Sequence, residues 1–489
     1  MPSRKTILLY LLLAAFSVGG YVLISRLTYR TGFPLDDAWI HLTYARNIAL
    51  RGEWAFIPGQ PSAGSTAPFW SGLLALGYYL PYAPYLWVYL LGTITLAGLA
   101  VAGYYGFRVL WAQGRGNWAL LAGVAMILEW HLVWSAASGM ETLLFSLLVL
   151  VSLILMAAKW TRWGLLGALI GFSIWLRPDG ISLVLPVLLL LLTTHRPFKE
   201  IPGSVGRFAL GVISLVGPYL FFNKWINGSW LPNTFYAKQA EYAIERTAPL
   251  INRLGEQALL PLVGVGILLL PGFLFICWSS IRGRQWSLLA GPIWAVGYLC
   301  LYALRLPVSY QHGRYVIPMM PVYFLWGLAG SARLIQAGSS ISWKRILSRA
   351  WLVAIGIVLL LFWLLGGRAY GRDVALIESE MVATAQWVEK NTGPDALIAA
   401  HDIGALGYFG NRRLIDLAGL VSPDIIPFIR DESHLAAYLN EQEADYLVTF
   451  PGWYPKLVTF GEPVYKSKGV FSPLQGGENM VIYRWRGSP

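Results

Sequence analysis

Charge is scarce in this chain. Only 13% of its 489 residues are Asp, Glu, Lys or Arg, while 56% are hydrophobic. A soluble protein of this length carries roughly 25% charged residues. The shortfall, with apolar residues gathered into long runs, excludes an ordinary soluble domain and points to a polytopic membrane protein. Cysteine is nearly missing. Cys277 and Cys300 both lie inside apolar runs, which argues against a structural disulfide or a thiolate metal site and for two small buried hydrophobes. Soluble-enzyme motifs are missing too: no Walker A loop, no GxGxxG after a strand, no HExxH. Gly64-Ser65-Thr66 is not the Gly-x-Ser-x-Gly of a nucleophile elbow. Neither a repeat of fixed period nor a low-complexity tract occurs.

Aromatic residues, in contrast, are abundant, with 23 Trp and 26 Tyr, as belts at two bilayer interfaces require. The net charge of +12 comes from Lys and Arg placed mostly in short loops between apolar runs. That is the positive-inside pattern, and it excludes nucleic acid as the partner. The run Ile7–Ile24 follows Arg4 and Lys5 and ends without a small-x-small cleavage site, so it is expected to be an uncleaved first helix with a cytoplasmic N-terminus. Counting onward, Phe69–Leu80 is too short to cross and Tyr85–Val109 is long enough. Loop charges at Arg108, Arg115, Lys159, Arg162, His195, Arg196, Lys199, Arg282, Arg284, Lys344, Arg345 and Arg349 mark cytoplasmic returns. The expectation is roughly 11 transmembrane helices over 1–366. A C-terminal extracytoplasmic α/β domain would then occupy 367–489, with helices at Val374–Lys390 and Ser433–Glu443 and strands at Ala396–Ala400, Tyr446–Phe450 and Met480–Trp485.

Within the first outer loop, 27–68, lies the stretch on which function turns. Asp36 and Asp37 open an amphipathic helical pattern of Trp39, Ile40, Thr43, Tyr44, Asn47 and Ile48, flanked by Arg46 and closed by the Gly/Pro/Ser-rich run Pro58–Pro68. A doubled acid at the foot of a membrane helix is costly unless it faces water or a polar cavity. The topology also sends Glu141, Arg177, Asp179, Asn233, Lys238, His312, Arg314, His401 and Asp402 to this side, the convergence a catalytic cavity needs. Each has a plainer use as well: Glu141, Arg177 and Arg314 as helix-end anchors, Asp179 as a cap, His312 and His401-Asp402 as loop hydrogen-bonding groups.

DDAWIHLTYARNIALRGEW at 36–54 and PGQPSAGSTAPFW at 58–70 together resemble the first outer loop of bacterial GT-C membrane glycosyltransferases, nearest the polyprenyl-phosphate-sugar-dependent arabinofuranosyltransferase branch. Echoes follow in order: SGMETLLF at 138–145, LRPDG at 176–180, LPNTFYAK at 231–238, GRYVIPMMPV at 313–322 and HDIGALGYFGNRRLIDLAGLVSPDI at 401–425. The chain departs at Leu42-Thr43-Tyr44, where the family has Arg-Tyr, and at Ala63-Gly64-Ser65-Thr66-Ala67, where it has Glu-Gly-Tyr-Thr-Asn.

The resemblance implies transfer of a sugar from a polyprenyl-phosphate donor to a hydroxyl on a glycan, lipid or protein acceptor at the outer face of the cell membrane, with inversion. Asp36 or Asp37 is the expected base. Arg177, Arg314 and Lys238 are the expected phosphate partners, and Arg46, Glu141, Asn233, His312, His401 and Asp402 the remaining binding candidates. Adjacent acids suit Mg²⁺ or Mn²⁺, but arginines alone can serve a lipid monophosphate, so no obligatory metal is expected. Two other classes compete. A transporter or flippase of lipid-linked sugar needs charges in mid-helix and matching broken halves, and a non-catalytic envelope assembly protein would tolerate loss of both aspartates.

Overall fold

A computed structural model describes residues 2–80, 84–111, 117–193, 201–338 and 342–487. The loop charges Arg115, His195, Arg196 and Lys199 lie outside the described residues. Six helices there are long and apolar enough to cross a membrane: Arg4–Thr28, Tyr85–Leu110, Ile201–Asn227, Trp286–Arg305, Tyr310–Ala337 and Ser342–Asn391. Two bent pairs raise the number to eight if each is one span: Trp118–Leu128 with Trp130–Ala136, bent by 58°, and Leu250–Leu262 with Gly266–Arg282, bent by 104°. Three shorter apolar helices, Thr142–Ala157, Trp163–Ile174 and Pro178–Leu191, complete the bundle. Eleven crossings are therefore not reached on length and composition. Several of the crossings counted from sequence fall on these shorter helices.

Apolar side chains cover the outside of the bundle, with Leu12, Phe16, Leu210, Ile213, Ile357 and Leu360 all exposed; in lipid such a surface carries no hydrophobic penalty. Inside, small residues let helices touch. A Cβ at Gly330 would strike the backbone of Gly272, so helices 320–338 and 266–282 cross at van der Waals contact. Cys277 and Cys300 are unpaired and half-buried rather than core residues.

The helix opened by the acidic pair runs Asp37–Arg51 and stops at Gly52, which turns left-handed (φ 69°) and returns its N–H to the carbonyls of Asn47 and Ile48. Every residue from Ala38 to Ala45 is buried. The sequence pattern suggested one buried face; the far side is covered as well because the C-terminal segment packs on it. The short hairpin β1 (Ala55–Ile57) and β2 (Gln60–Pro61) follows.

Helix Ser342–Ile377 passes through position 367 without a break and leads, by way of helix Ala383–Asn391, into a five-stranded sheet. Its strands are β3 (Leu397–Ala400), β4 (Arg413–Asp416), β5 (Tyr446–Thr449), β6 (Gly461–Lys466) and β7 (Val481–Trp485), in the order β4-β3-β5-β7-β6. β3 lies parallel to both neighbours, with Ala399 opposite Ile415 and Leu447, and β7 runs antiparallel to β5 and β6. Helix Glu432–Glu441 covers the sheet, capped by Asp431, which accepts from the amides of Ser433 and His434. β3, β5, β7 and this helix match the sequence expectation within a few residues. β4 and β6 were not anticipated: β4 has only Leu414 and Ile415 between Arg413 and Asp416, and β6 is an edge strand with a proline and little buried apolar surface.

Glu380, with no solvent exposure, fastens this sheet to the long helix. Its carboxylate accepts from Ser467 Oγ, from the Met480 amide at 2.9 Å and from Asn479 Nδ2 at 2.9 Å. Glu380→Ala should leave these donors unpaired and cost about 3 kcal/mol, read as a lowered thermal unfolding midpoint of the detergent-solubilised protein; an unchanged midpoint would refute this role.

Candidate active site

Where helix 37–51 meets the loop ends of the bundle, a cavity of about 300 Å³ opens. Its walls draw on segments scattered through the chain, and charged side chains stand out among mainly apolar ones: Asp37, Glu141, Arg177, Asp179, Lys238, Arg305 and Arg314, with His41, Tyr302 and Tyr315. Leu420 of the C-terminal segment reaches it too.

The charges form two groups. In the first, Arg314 Nη1 is 2.7 Å from Asp37 Oδ2 and Lys238 Nζ is 4.0 Å from the same oxygen. Lys238 Nζ and Arg314 Nη2 also donate to the Tyr315 hydroxyl, at 2.8 and 3.0 Å. Burial pushes the Asp37 carboxyl up, but Arg314 and then Lys238 outweigh it and hold the group well below the usual carboxylate range. Asp37 is thus an anion at neutral pH. Arg314 Nε is buried without an acceptor among the described residues. In the second group, Arg177 lies 3.4 Å from Glu141 Oε1, 3.0 Å from Asp179 Oδ2 and 2.9 Å from the Tyr302 hydroxyl, while His41 Nε2 is 3.4 Å from Glu141 Oε2. Arg177 therefore faces two carboxylates already, whereas Arg314 and Lys238 share one. Arg305 lines the cavity with no carboxylate partner among the described residues.

Asp36 does something else. Its two oxygens accept the backbone amides of Gly404 and Ala405, at 2.7 and 2.8 Å, so the carboxylate joins the first loop to the C-terminal segment. The approach is close enough that a Cβ at Gly404 would strike the Asp36 carbonyl oxygen. Burial, then the nearby Asp402 carboxylate, raise the Asp36 carboxyl against the pull of the two amides. Arg46 makes a parallel connection, donating to the carbonyls of Gly407 (3.0 Å) and Tyr408 (2.5 Å) with its guanidinium over the Tyr408 ring. His401 Nε2 meets Glu241 Oε1 at 2.8 Å, and its Nδ1 is 3.6 Å from Asp402. Asn233 accepts from Asn227 Nδ2 at 2.7 Å and, through its amide, anchors the start of helix Asn233–Glu241 to Ala63.

Of the site residues expected from sequence, Asp37, Glu141, Arg177, Lys238 and Arg314 thus meet in the cavity. Asp36, Arg46, Asn233, His401 and Asp402 instead hold the walls together, and His312 sits behind them on Asp373 at 2.8 Å. His41, Arg305, Tyr302 and Tyr315 join the cavity without having been singled out. His41 and Tyr315 stand inside motifs already noticed, one residue pattern away from recognition; Arg305 and Tyr302 carry no sequence signal beyond ending an apolar run.

The acidic pair does not fit a divalent cation. Asp36 spends both oxygens on amides and Asp37 faces Arg314, so they do not converge on one point. Among the described residues, no three His, Cys, Asp or Glu side chains gather as a metal site.

Solved structures share this architecture across nearly the whole chain. ArnT from Cupriavidus metallidurans, crystallised bound to undecaprenyl phosphate, superposes with a TM-score of 0.61 at 16% identity, covering 96% of this chain and 97% of that one. The chain has the GT-C fold. An oligosaccharyltransferase from Archaeoglobus fulgidus in its apo form gives a TM-score of 0.63 at 10% identity, over 92% of this chain and 70% of that one. The same organism's AglB, in complex with an inhibitory peptide and a dolichol-phosphate, gives 0.57 at 11% identity, again over 92% and 70%. A family model described as a domain of unknown function, DUF8728, matches residues 372–483, the end of the long helix and the sheet beyond it. No curated protein matches by sequence.

His401 supplies a pH test of how the GT-C bundle and its C-terminal segment are joined. Burial disfavours its charge, yet Asp402 and Glu241 prevail and push it up to about 10. The folded value exceeds the unfolded one, so this contribution is complete below about pH 6.5 and is lost as pH rises through about 10. Wild type should therefore lose its stability advantage over His401→Gln between pH 7 and 10, measured by thermal unfolding; a constant difference would contradict the assignment.

Proposed function

We propose that the chain is a glycosyltransferase that moves a hexosyl or pentosyl group from a polyprenyl-phosphate donor to a hydroxyl of a cell-envelope glycan, lipid or protein, at the outer face of the cell membrane. The observation that carries this is the cavity in which one anionic carboxylate, Asp37, stands within 4.0 Å of two cations, Arg314 and Lys238, contributed by distant segments. The ligands bound in the similar structures, undecaprenyl phosphate and dolichol-phosphate, support a lipid phosphate as the cavity's guest.

In this reading the donor phosphate enters against Arg314 and Lys238, and the unpaired Arg314 Nε takes one of its oxygens. Arginine suits such contacts because its donors lie in a fixed fork. The phosphate competes with Asp37 for both cations. Loosening their hold raises the basicity of the carboxylate at the moment it is needed. The acceptor oxygen forms a bond to the anomeric carbon as the bond from that carbon to the phosphate oxygen breaks, its electron pair leaving with the phosphate. The acceptor's proton passes to Asp37. A single displacement of this kind inverts the anomeric centre. Asp36 keeps helix 37–51 against the C-terminal segment and so aims its neighbour, while Arg177, Glu141 and His41 form the opposite wall, where sugar hydroxyls find donors and acceptors. The arabinofuranosyltransferase likeness favours a pentose, and of the altered residues Gly64 and Thr66 line the cavity, where a different sugar would be read.

Purified protein given polyprenyl-phosphate sugar and acceptor should release polyprenyl phosphate. Asp37→Asn should slow the release by about 10²–10⁴-fold without loss of folding. Normal turnover by that variant would overturn the base assignment, and no release by wild type across hexose and pentose donors would overturn the activity.

A further inference from the structure

The segment that delivers Arg314 to Asp37 has an unusual backbone. Gln311 (φ 52°, ψ 48°) and His312 (φ 59°, ψ 28°) are both left-handed, and Gly313 follows at φ 66°. Side-chain-bearing residues rarely take this conformation, least of all two in succession, and they keep it only where surroundings impose it. The surroundings here are specific. His312 does not line the cavity. Its Nε2 lies 2.8 Å from Asp373 Oδ2, and its ring meets Trp130 and Trp134 edge-on, at centroid distances of 5.3 and 5.5 Å. Trp134 Nε1 donates to the same Asp373 oxygen at 2.9 Å, so one carboxylate holds both the imidazole and an indole that packs on it. Asp373 belongs to helix Ser342–Ile377, the element that continues toward the C-terminal sheet.

We infer that His312 is a positioning residue: pinned between Trp130, Trp134 and Asp373, it holds the left-handed turn 311–313 in the form that presents Arg314 to Asp37 and to a lipid-linked phosphate. The phosphate in this inference rests on the proposed donor, and the turn on geometry alone. Without the pin the turn relaxes toward ordinary backbone angles. Arg314, the next residue, then moves with it, and a charge displaced by an ångström loses much of its effect on a bound anion.

The test uses full-length protein in nanodiscs, with His312→Ala, Asp373→Ala, Asp373→Asn, Arg314→Ala and the His312→Ala/Arg314→Ala double variant. Amide hydrogen exchange over 310–316 reads the turn directly, and displacement by polyprenyl phosphate reads affinity. His312→Ala and Asp373→Ala should both speed exchange in that segment and weaken polyprenyl phosphate binding about tenfold or more. Asp373→Asn keeps an oxygen acceptor and should stay near wild type. The double variant should bind no more weakly than Arg314→Ala, because His312 acts only through that side chain. Unchanged exchange, or losses that add in the double variant, would overturn the inference. Asp373→Ala leaves the turn's own sequence intact and decides the matter if His312→Ala fails to fold. Wild type that binds no polyprenyl phosphate while the exchange results hold would refute the proposed donor and leave the pinned turn standing.

Discussion

A carboxylate and a guanidinium 2.7 Å apart at the edge of an apolar bundle constrain nearly everything else in this molecule. Taking either charge out of water alone costs several kcal/mol, and only close pairing with satisfied hydrogen bonds offsets it. Asp37 and Arg314 are 277 positions apart in the chain (314 minus 37). Their meeting requires that helix 37–51 be laid on the bundle at one angle and that the turn before Arg314 enter at another. Lys238 and Tyr315 then add to the pair, Tyr315 accepting from both cations, while Arg314 Nε keeps no acceptor among the described residues. In the proposed reading, a phosphate replaces the carboxylate as the partner of the two cations at this wall.

The C-terminal segment contributes to that constraint from behind. Asp36 on the amides of 404 and 405, Arg46 on the carbonyls of 407 and 408, and Glu241 on His401 join the start and body of helix 37–51 and the end of helix Asn233–Glu241 to the segment beyond the last long helix. They sit beside aromatic contacts, Trp39 packing on Tyr408 and Phe409 at ring-centroid distances of 4.8 and 4.7 Å. Their number and short lengths make helix 37–51 an element enclosed on all sides, unlike the surface helix its apolar spacing suggests. Leu420 at the cavity wall carries the same contact to the site itself. The two neighbouring aspartates thereby have separate duties, one in the joint and one in the cavity.

Much of this was legible before any fold was known. Apolar run length and loop charge announced a membrane bundle, and short strand-like apolar stretches announced β3, β5 and β7. The acidic doublet, with the later motifs carrying Glu141, Arg177, Lys238 and Arg314, marked the cavity. The two edge-side strands were not legible: β4 has two apolar residues between charged ones, and β6 buries too little to leave a pattern. His312 shows the other kind of gap. A histidine beside a site arginine reads as a ligand in one dimension; its actual partner, Asp373, is 61 residues away and visible only once helices pack.

Sequence by itself determined what depends on composition and short-range period: the membrane class of the chain, the helices and most central strands, and the set of charged residues too costly to be incidental. Tertiary structure alone decided which of those charges face one another. Pairing energy falls steeply with distance and dielectric, and both are set by how remote segments pack. So it fell to the fold to separate Asp37 from Asp36, to pair Arg314 rather than Arg177 with the lone carboxylate, and to turn His312 away from the cavity onto the helix behind it.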